Sequence, residues 1–169
     1  MGRVIIFLIA SVVMTGCADF DLQVKKGALR ARPSTVLIGS FELRSMNYDP
    51  YVAQGFREAL RFEFFKRGIP AVLTDRQDEE PANDSQKVAG MMGKYSADVF
   101  IKGAICQRES GFLADLEVNS SISFVVYGKE GTVIGEGYYY IADRAGNETV
   151  KRRAAAKFVS EFLGSTISE

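Results

Sequence analysis

Residues 113–127 constrain the fold more than any other part of this 169-residue chain, because their polarity alternates with a period of two. Apolar residues between Ala114 and Val126 point to one face, and polar residues between Asp115 and Ser123 point to the other. A strand with one apolar and one polar face is typical of an antiparallel sheet that is open to water on one side. Residues 128–131 are then typical of a hairpin turn that leads into a further strand.

Five strands are predicted in all. Besides residues 113–127 and 132–142, strand patterns cover residues 35–43, 69–73 and 99–108. Pro70 indicates that the second strand along the chain lies at a sheet edge. Residues 99–108 are apolar on both faces, which indicates an inner strand.

Three helices are predicted to begin at the capping residues Asp49, Ser85 and Thr149, and Gly68 ends the first of them. Each helix has one apolar stripe. The charged residues of the first helix are predicted to lie on its exposed side: Arg57, Arg61, Glu63 and Lys66. The order β-α-β-α-β-β-β-α therefore predicts a single α+β domain at residues 35–169, with a four- to five-stranded mixed sheet and the helices packed on one face.

The amino-terminal residues 1–16 have the pattern of a secretory signal peptide. A basic start precedes an apolar run at residues 4–13, which rises only about 15 Å as a helix and is too short to span a bilayer. A buried amino-terminal helix is the alternative. The following residues, Met14-Thr15-Gly16-Cys17, resemble the bacterial lipobox.

The lipobox resemblance implies cleavage between Gly16 and Cys17 and lipid chains on Cys17, which are the only non-protein group expected. Because Ala18 and not an aspartate follows the cysteine, the resemblance further implies the outer membrane, on its periplasmic face. Residues 17–34 are then the lipidated cysteine and a tether, although residues 22–29 are apolar enough to pack on the domain instead.

The composition argues against catalysis. The chain contains no histidine, and its 21 basic side chains balance its 21 acidic ones. The missing imidazole excludes Ser-His and Cys-His nucleophile pairs and histidine-ligated zinc, and the balanced charge gives no footprint for nucleic acid. We therefore expect a protein that is not an enzyme and that binds no metal and no nucleic acid.

Three polar features have a structural and a functional interpretation. Asp115 and Glu117 lie about 7 Å apart on one strand face, which leaves a carboxylate hydrolase as a remote alternative. Their polar neighbours favour a solvated face. The acidic residues 75–84 lack the ligand spacing of a calcium loop, which favours a solvated loop. Cys106 is predicted to be a buried, unpaired thiol, with an intermolecular disulfide or a reactive thiol as the alternative.

Two clusters are candidates for contact with a partner. Alternation places the first and third of three consecutive tyrosines on one face of a strand, and an exposed tyrosine on a polar sheet face is typical of an interface. Three basic residues fall at the start of the last helix, where an acidic partner or a lipid phosphate would offset their conflict with the helix dipole. The candidate surface comprises Tyr138, Tyr139, Tyr140, Lys151, Arg152 and Arg153. Packing of the tyrosine rings over a sheet edge or the tether is the alternative.

Residues 95–105, YSADVFIKGAI, resemble a signature of the curli-secretion lipoprotein family and of the amino-terminal domain of the Tol system's propeller protein. The resemblance extends loosely over residues 35–165. It implies an accessory or scaffold role in envelope assembly or export, through contacts with envelope proteins or through self-association. The lipopolysaccharide-assembly lipoprotein, which plugs an outer-membrane barrel, is a second resemblance, but that family lacks the helix predicted at residues 85–96.

Overall fold

The computed structural model describes residues 19–25, 27–29, 31–45, 49–75, 84–111 and 117–166. The elements follow in chain order: β1 (Asp19–Val24), β2 (Val36–Ser45), α1 (Pro50–Lys66), β3 (Ala71–Leu73), α2 (Ser85–Lys94), β4 (Val99–Ser110), β5 (Glu117–Gly128), β6 (Val133–Ile141) and α3 (Glu148–Thr166). The predicted class, a single mixed α/β domain with three helices, is confirmed.

The strands form one six-stranded sheet in the order β1-β6-β5-β4-β2-β3. β2 pairs in parallel with β3 and β4, and the other neighbouring strands are antiparallel. β3 is an edge strand, as Pro70 predicts, and β4 is an inner strand, as its two apolar faces predict.

The sheet has one strand more than the sequence predicts, because residues 19–24 form β1 and are not a free tether. β1 pairs with β6, with Asp19 opposite Tyr140 and Val24 opposite Gly135. Its inward side chains contact the core, and the Phe20 ring lies 6.3 Å from that of Phe124 between centroids. The alternative in which residues 22–29 pack on the domain is therefore closer to the structure.

The main core lies between the sheet and the pair α1 and α3. The α1 stripe predicted from Phe56, Leu60 and Phe64 is fully buried there. Phe124 of β5 lies at the centre of this core and stacks on Phe158 of α3, with ring centroids 4.3 Å apart. Aromatic contacts therefore join both helices to the middle of the sheet.

α2 packs on the opposite face, so the prediction of all helices on one face is wrong for this helix. Its buried Val88 and Met92 form a second, smaller cluster with Leu37, Phe100 and Tyr127. These sheet residues have the opposite parity to the main-core residues beside them, and side chains of opposite parity leave a strand on opposite faces. The apolar stripe predicted for α2 is present, but an apolar stripe does not indicate which face of the sheet the helix packs on.

Two charged residues of α1 that are predicted to be exposed are buried. Arg57 donates from Nη2 to the backbone oxygen of Thr74 at 2.7 Å and to its Oγ1 at 3.1 Å, which joins α1 to the end of β3. Glu63 accepts from Lys66 and Arg67 at 2.8 and 2.9 Å. Burial would raise the pKa of Glu63, but these hydrogen bonds hold it below its ordinary value.

The helix starts agree with the sequence to within two residues. Asp49 caps α1 as predicted, and its Oδ1 accepts a backbone N–H at 2.9 Å. α2 is capped by Asp84 instead of Ser85. At α3, the side chain of Asn147 accepts from the backbone of Thr149, so the cap precedes the predicted residue.

Candidate interaction surface

The sheet face opposite α1 and α3 is largely polar, and among the described helices only α2 packs on it, at one end. The strand register aligns two rows of side chains across this face. We call these ten residues the polar face: Asp19, Tyr140, Ser121, Cys106 and Arg44 in one row, and Asp21, Tyr138, Ser123, Ala104 and Glu42 in the next.

Tyr138 and Tyr140 are the two aromatic side chains of the polar face, and the other eight are small or charged. They are 47% and 37% exposed and, as residues i and i+2 of β6, stand about 7 Å apart. The Tyr140 hydroxyl donates to Oδ1 of Asn119 at 2.8 Å, which fixes that ring above the sheet. The predicted alternation of the tyrosines is thus present, with the rings of Tyr138 and Tyr140 on the polar face.

Charge on the polar face is of both signs. Arg44 and Glu42 pair at 2.7 Å between Nη2 and Oε2, and both side chains are largely exposed. Asp19 and Asp21 are exposed at the β1 edge beside the tyrosines. Such a surface offers aromatic area and hydrogen-bonding groups without an apolar patch, as protein–protein rims do.

Cys106 is half-buried on the polar face, opposite Arg44 and Ser121, and is not a core residue. The expectation of a buried thiol is wrong, because an apolar strand such as β4 does not bury its face along its whole length. α2 covers Phe100, near the start of β4, whereas Cys106 lies further along this strand, on the part of the polar face that α2 does not cover.

Tyr139 points the other way, into the main core, and is 2% exposed. Its ring lies 5.9 Å from that of Phe20. Burial raises the pKa of the Tyr139 hydroxyl, and within the described residues that hydroxyl has no hydrogen-bond partner. Tyr139 is therefore a packing residue, and the predicted partner contact is limited to its two neighbours.

We expect Tyr139→Phe to leave the free energy of unfolding unchanged or to raise it by up to about 1 kcal/mol, because it removes a buried hydroxyl without a partner and keeps the ring. Urea titration monitored by circular dichroism measures the change. Tyr140→Phe is the matched control and should lose stability slightly, since its hydroxyl is bonded. A loss for Tyr139→Phe larger than that for Tyr140→Phe would contradict this role.

The basic cluster at the start of α3 lies on the other side of the sheet from the exposed tyrosines. Lys151 is buried, and its Nζ lies 2.5 Å from Oε1 of Glu148, in the space left by Gly55 of α1. Arg152 and Arg153 are exposed. The structure therefore does not join the two predicted clusters into one surface, and Lys151 contributes to packing between helices instead.

The residues of the remaining predictions are only partly described. Cys17, Gly16 and Asp115 lie outside the described residues, as does most of the acidic segment 75–84. Glu117 is exposed at the start of β5. Within the part of the chain that the structure covers, no group of three or more potential ligand side chains could hold a metal ion.

None of the described helices is both long enough and apolar enough to cross a membrane.

One exposed apolar area was not predicted. Phe62 and Phe65, 59% and 72% exposed on α1, line a groove of about 590 Å³ with Pro70 and with Ala71, the first residue of β3. The sequence could have predicted this area, because neither phenylalanine has the three- and four-residue spacing of the buried stripe of α1, and an aromatic residue outside that stripe is expected to be exposed. We call this area, with its flanking Arg61, the α1–β3 groove.

No protein-family model and no curated protein sequence matches the chain. Solved structures do. The PelC dodecamer from Paraburkholderia phytofirmans aligns with a TM-score of 0.62 at 15% identity, over 85% of this chain and 96% of that one. Lipoprotein GNA1162 from Neisseria meningitidis aligns with a TM-score of 0.50 at 9% identity, over 78% and 99%. These likenesses establish a shared fold.

TolB from Acinetobacter baumannii aligns over 87% of this chain and 31% of its own, with a TM-score of 0.46 at 12% identity. This score is too low to support the resemblance to the Tol propeller protein.

Proposed function

We propose that the chain is a lipid-anchored protein of the bacterial envelope that acts without catalysis, by binding other envelope proteins or further copies of itself. The observation that carries the proposal is the polar face, where the side chains of Tyr138 and Tyr140 are exposed. Tyrosine combines apolar area with a hydrogen-bonding tip and is enriched where proteins meet.

The structural neighbours agree with such a role. One is a dodecamer and another is a lipoprotein by name. Self-association of this chain and a lipid on Cys17 are in line with both. The lipid would be the only non-protein group of this chain. It would hold the domain on the periplasmic face of the outer membrane.

The anchor has a direct test. We expect the wild-type chain to fractionate with membranes, since several acyl chains make a stable anchor, and to carry a mass increase at Cys17. Cys17→Ala should lose both, because it removes the thiol to which the lipid would be attached. Cys106→Ser is the matched control and should leave fractionation unchanged. Membrane association of Cys17→Ala at the wild-type level would refute the lipoprotein assignment.

The polar face is tested by placing a photo-crosslinking amino acid at position 138 in intact cells. Position 157 on α3 is the matched control, since Lys157 is also about half exposed but lies on the other side of the sheet. Adducts at 138 that are absent at 157 would support the proposal, either as dimers of the chain or with a second envelope protein. Capture of a large outer-membrane barrel would favour the lipopolysaccharide-assembly resemblance instead, and equal adducts at both positions would refute the polar face as the contact.

A further inference from the structure

We propose that one end of the domain rests on the lipid headgroups and that the strands stand upright on the membrane. This anchor end consists of Asp19, residues 49–51 and residues 143–148. The proposal rests on the proposed function in one respect, the lipid on Cys17.

The first argument is the length of chain between the lipid and the fold. Only Ala18 separates Cys17 from Asp19, the first residue of β1. Two residues span at most about 7 Å. A lipid on Cys17 would therefore hold the start of β1 at the depth of the headgroups, with no free tether between membrane and domain.

The second argument is topology. The register places Asp19 in one row with Tyr140 and Arg44. β6 and β2 each end one residue after that row, and α3 and α1 follow them along the chain. The N-terminal ends of both helices therefore lie at the anchor end, and both helices run away from it.

The third argument is the character of the exposed side chains at that end. Tyr51, in the first turn of α1, is 75% exposed, and an aromatic ring with a polar tip suits the boundary between headgroups and acyl chains. Arg152 is exposed nearby and can meet phosphate groups, as can the exposed Arg144, whose Nη2 lies 4.0 Å from Oε1 of Glu109. Two of the acids beside them have partners within the domain, since Asp49 caps α1 and Glu148 pairs with Lys151, and the exposed Asp19 is the acid that faces the headgroups.

The same geometry keeps the α1–β3 groove away from lipid. Phe65 lies 14 residues after Tyr51 on α1, which is about 21 Å along the helix axis. The groove and the β5–β6 turn would then project into the periplasm. Lipid would contact one end of the molecule only, and the polar face beyond Asp19 would stay free for neighbours in the plane of the membrane.

The chain contains no tryptophan, so a single introduced tryptophan reports its own position. Tyr51→Trp and Phe65→Trp are a matched pair, because both replace an aromatic residue of similar exposure on the same helix. The lipidated variants would be reconstituted in vesicles of phosphatidylethanolamine and phosphatidylglycerol, with and without a phosphatidylcholine that carries a nitroxide on its headgroup. We expect Tyr51→Trp to lose roughly half of its fluorescence with the nitroxide lipid, as an interfacial ring would, and Phe65→Trp to be unaffected.

Quenching of both variants to the same extent, of Phe65→Trp alone, or of neither would overturn the orientation. Mass measurement on the same samples keeps the two proposals apart. A missing lipid on Cys17 would refute the anchor, whereas a lipidated chain with the wrong quenching pattern would refute only the upright orientation.

Discussion

Replacing Phe124 by alanine is expected to lower the free energy of unfolding by about 3–5 kcal/mol, the range for large aromatic residues removed from a core. Phe124 is 1% exposed, and its ring lies within 6.3 Å, between centroids, of four other aromatic rings. These rings belong to β1, β2, α1 and α3: Phe20, Phe41, Phe56 and Phe158. The cavity would therefore weaken the contacts of the sheet with both helices at once.

Urea titration monitored by circular dichroism measures this loss, and two further variants interpret it. Phe62→Ala removes the same side chain from an exposed position of α1 and should cost less than about 1 kcal/mol. Phe124→Leu keeps most of the volume and should lie between the two, which preserves a measurement if Phe124→Ala does not fold. Equal losses for Phe124→Ala and Phe62→Ala would show that this cluster is not the centre of the core.

The second large effect is expected for Gly131→Ala in the β5–β6 turn. Gly131 has a φ of +72°, and a Cβ there would lie 2.0 Å from the backbone oxygen of Ser85 and 2.9 Å from the backbone nitrogen of Ala89. Both atoms belong to α2, so relief of the clash requires this helix to move. We expect a loss above about 2 kcal/mol, from left-handed strain of about 1–2 kcal/mol and lost contacts of α2.

Gly68→Ala separates the two causes. Gly68 has the same φ of +72°, but a Cβ added there would meet no described atom within 4 Å. This variant should therefore show only the backbone strain, about 1–2 kcal/mol. The difference in urea midpoint between the two alanine variants measures how firmly α2 is held on the sheet, and identical midpoints would mean that the turn does not hold it.

Local periodicity was sufficient to predict the class of the fold. The alternation of residues 113–127 and the stripe of Phe56, Leu60 and Phe64 each follow from short-range geometry, and both are present in the structure where it describes them. β1 was missed although its six residues, DFDLQV, alternate polar and apolar side chains, because so short an alternation between charged neighbours is a weak strand signal. The strand is stabilised by β6, which is distant in sequence.

The candidate interaction surface could be predicted only in part, because some of its residues are placed by contacts between elements that are distant in sequence. The two exposed tyrosines followed from alternation on β6. The burial of Lys151 did not, because it depends on the space at Gly55 of a different helix. The stripe of α2 likewise predicts an apolar face without saying which side of the sheet receives it.

The edge position of β1 has a mechanical consequence if Cys17 carries the lipid. Any pull between membrane and domain would then act first on the hydrogen bonds that join β1 to β6. Detaching β1 would lengthen the connection by about 20 Å for its six residues, and it would also withdraw Phe20 from Phe124 and Tyr139. With such an anchor, the height of the domain above the bilayer would depend on the strength of one edge strand, and additional reach would require that the core be opened.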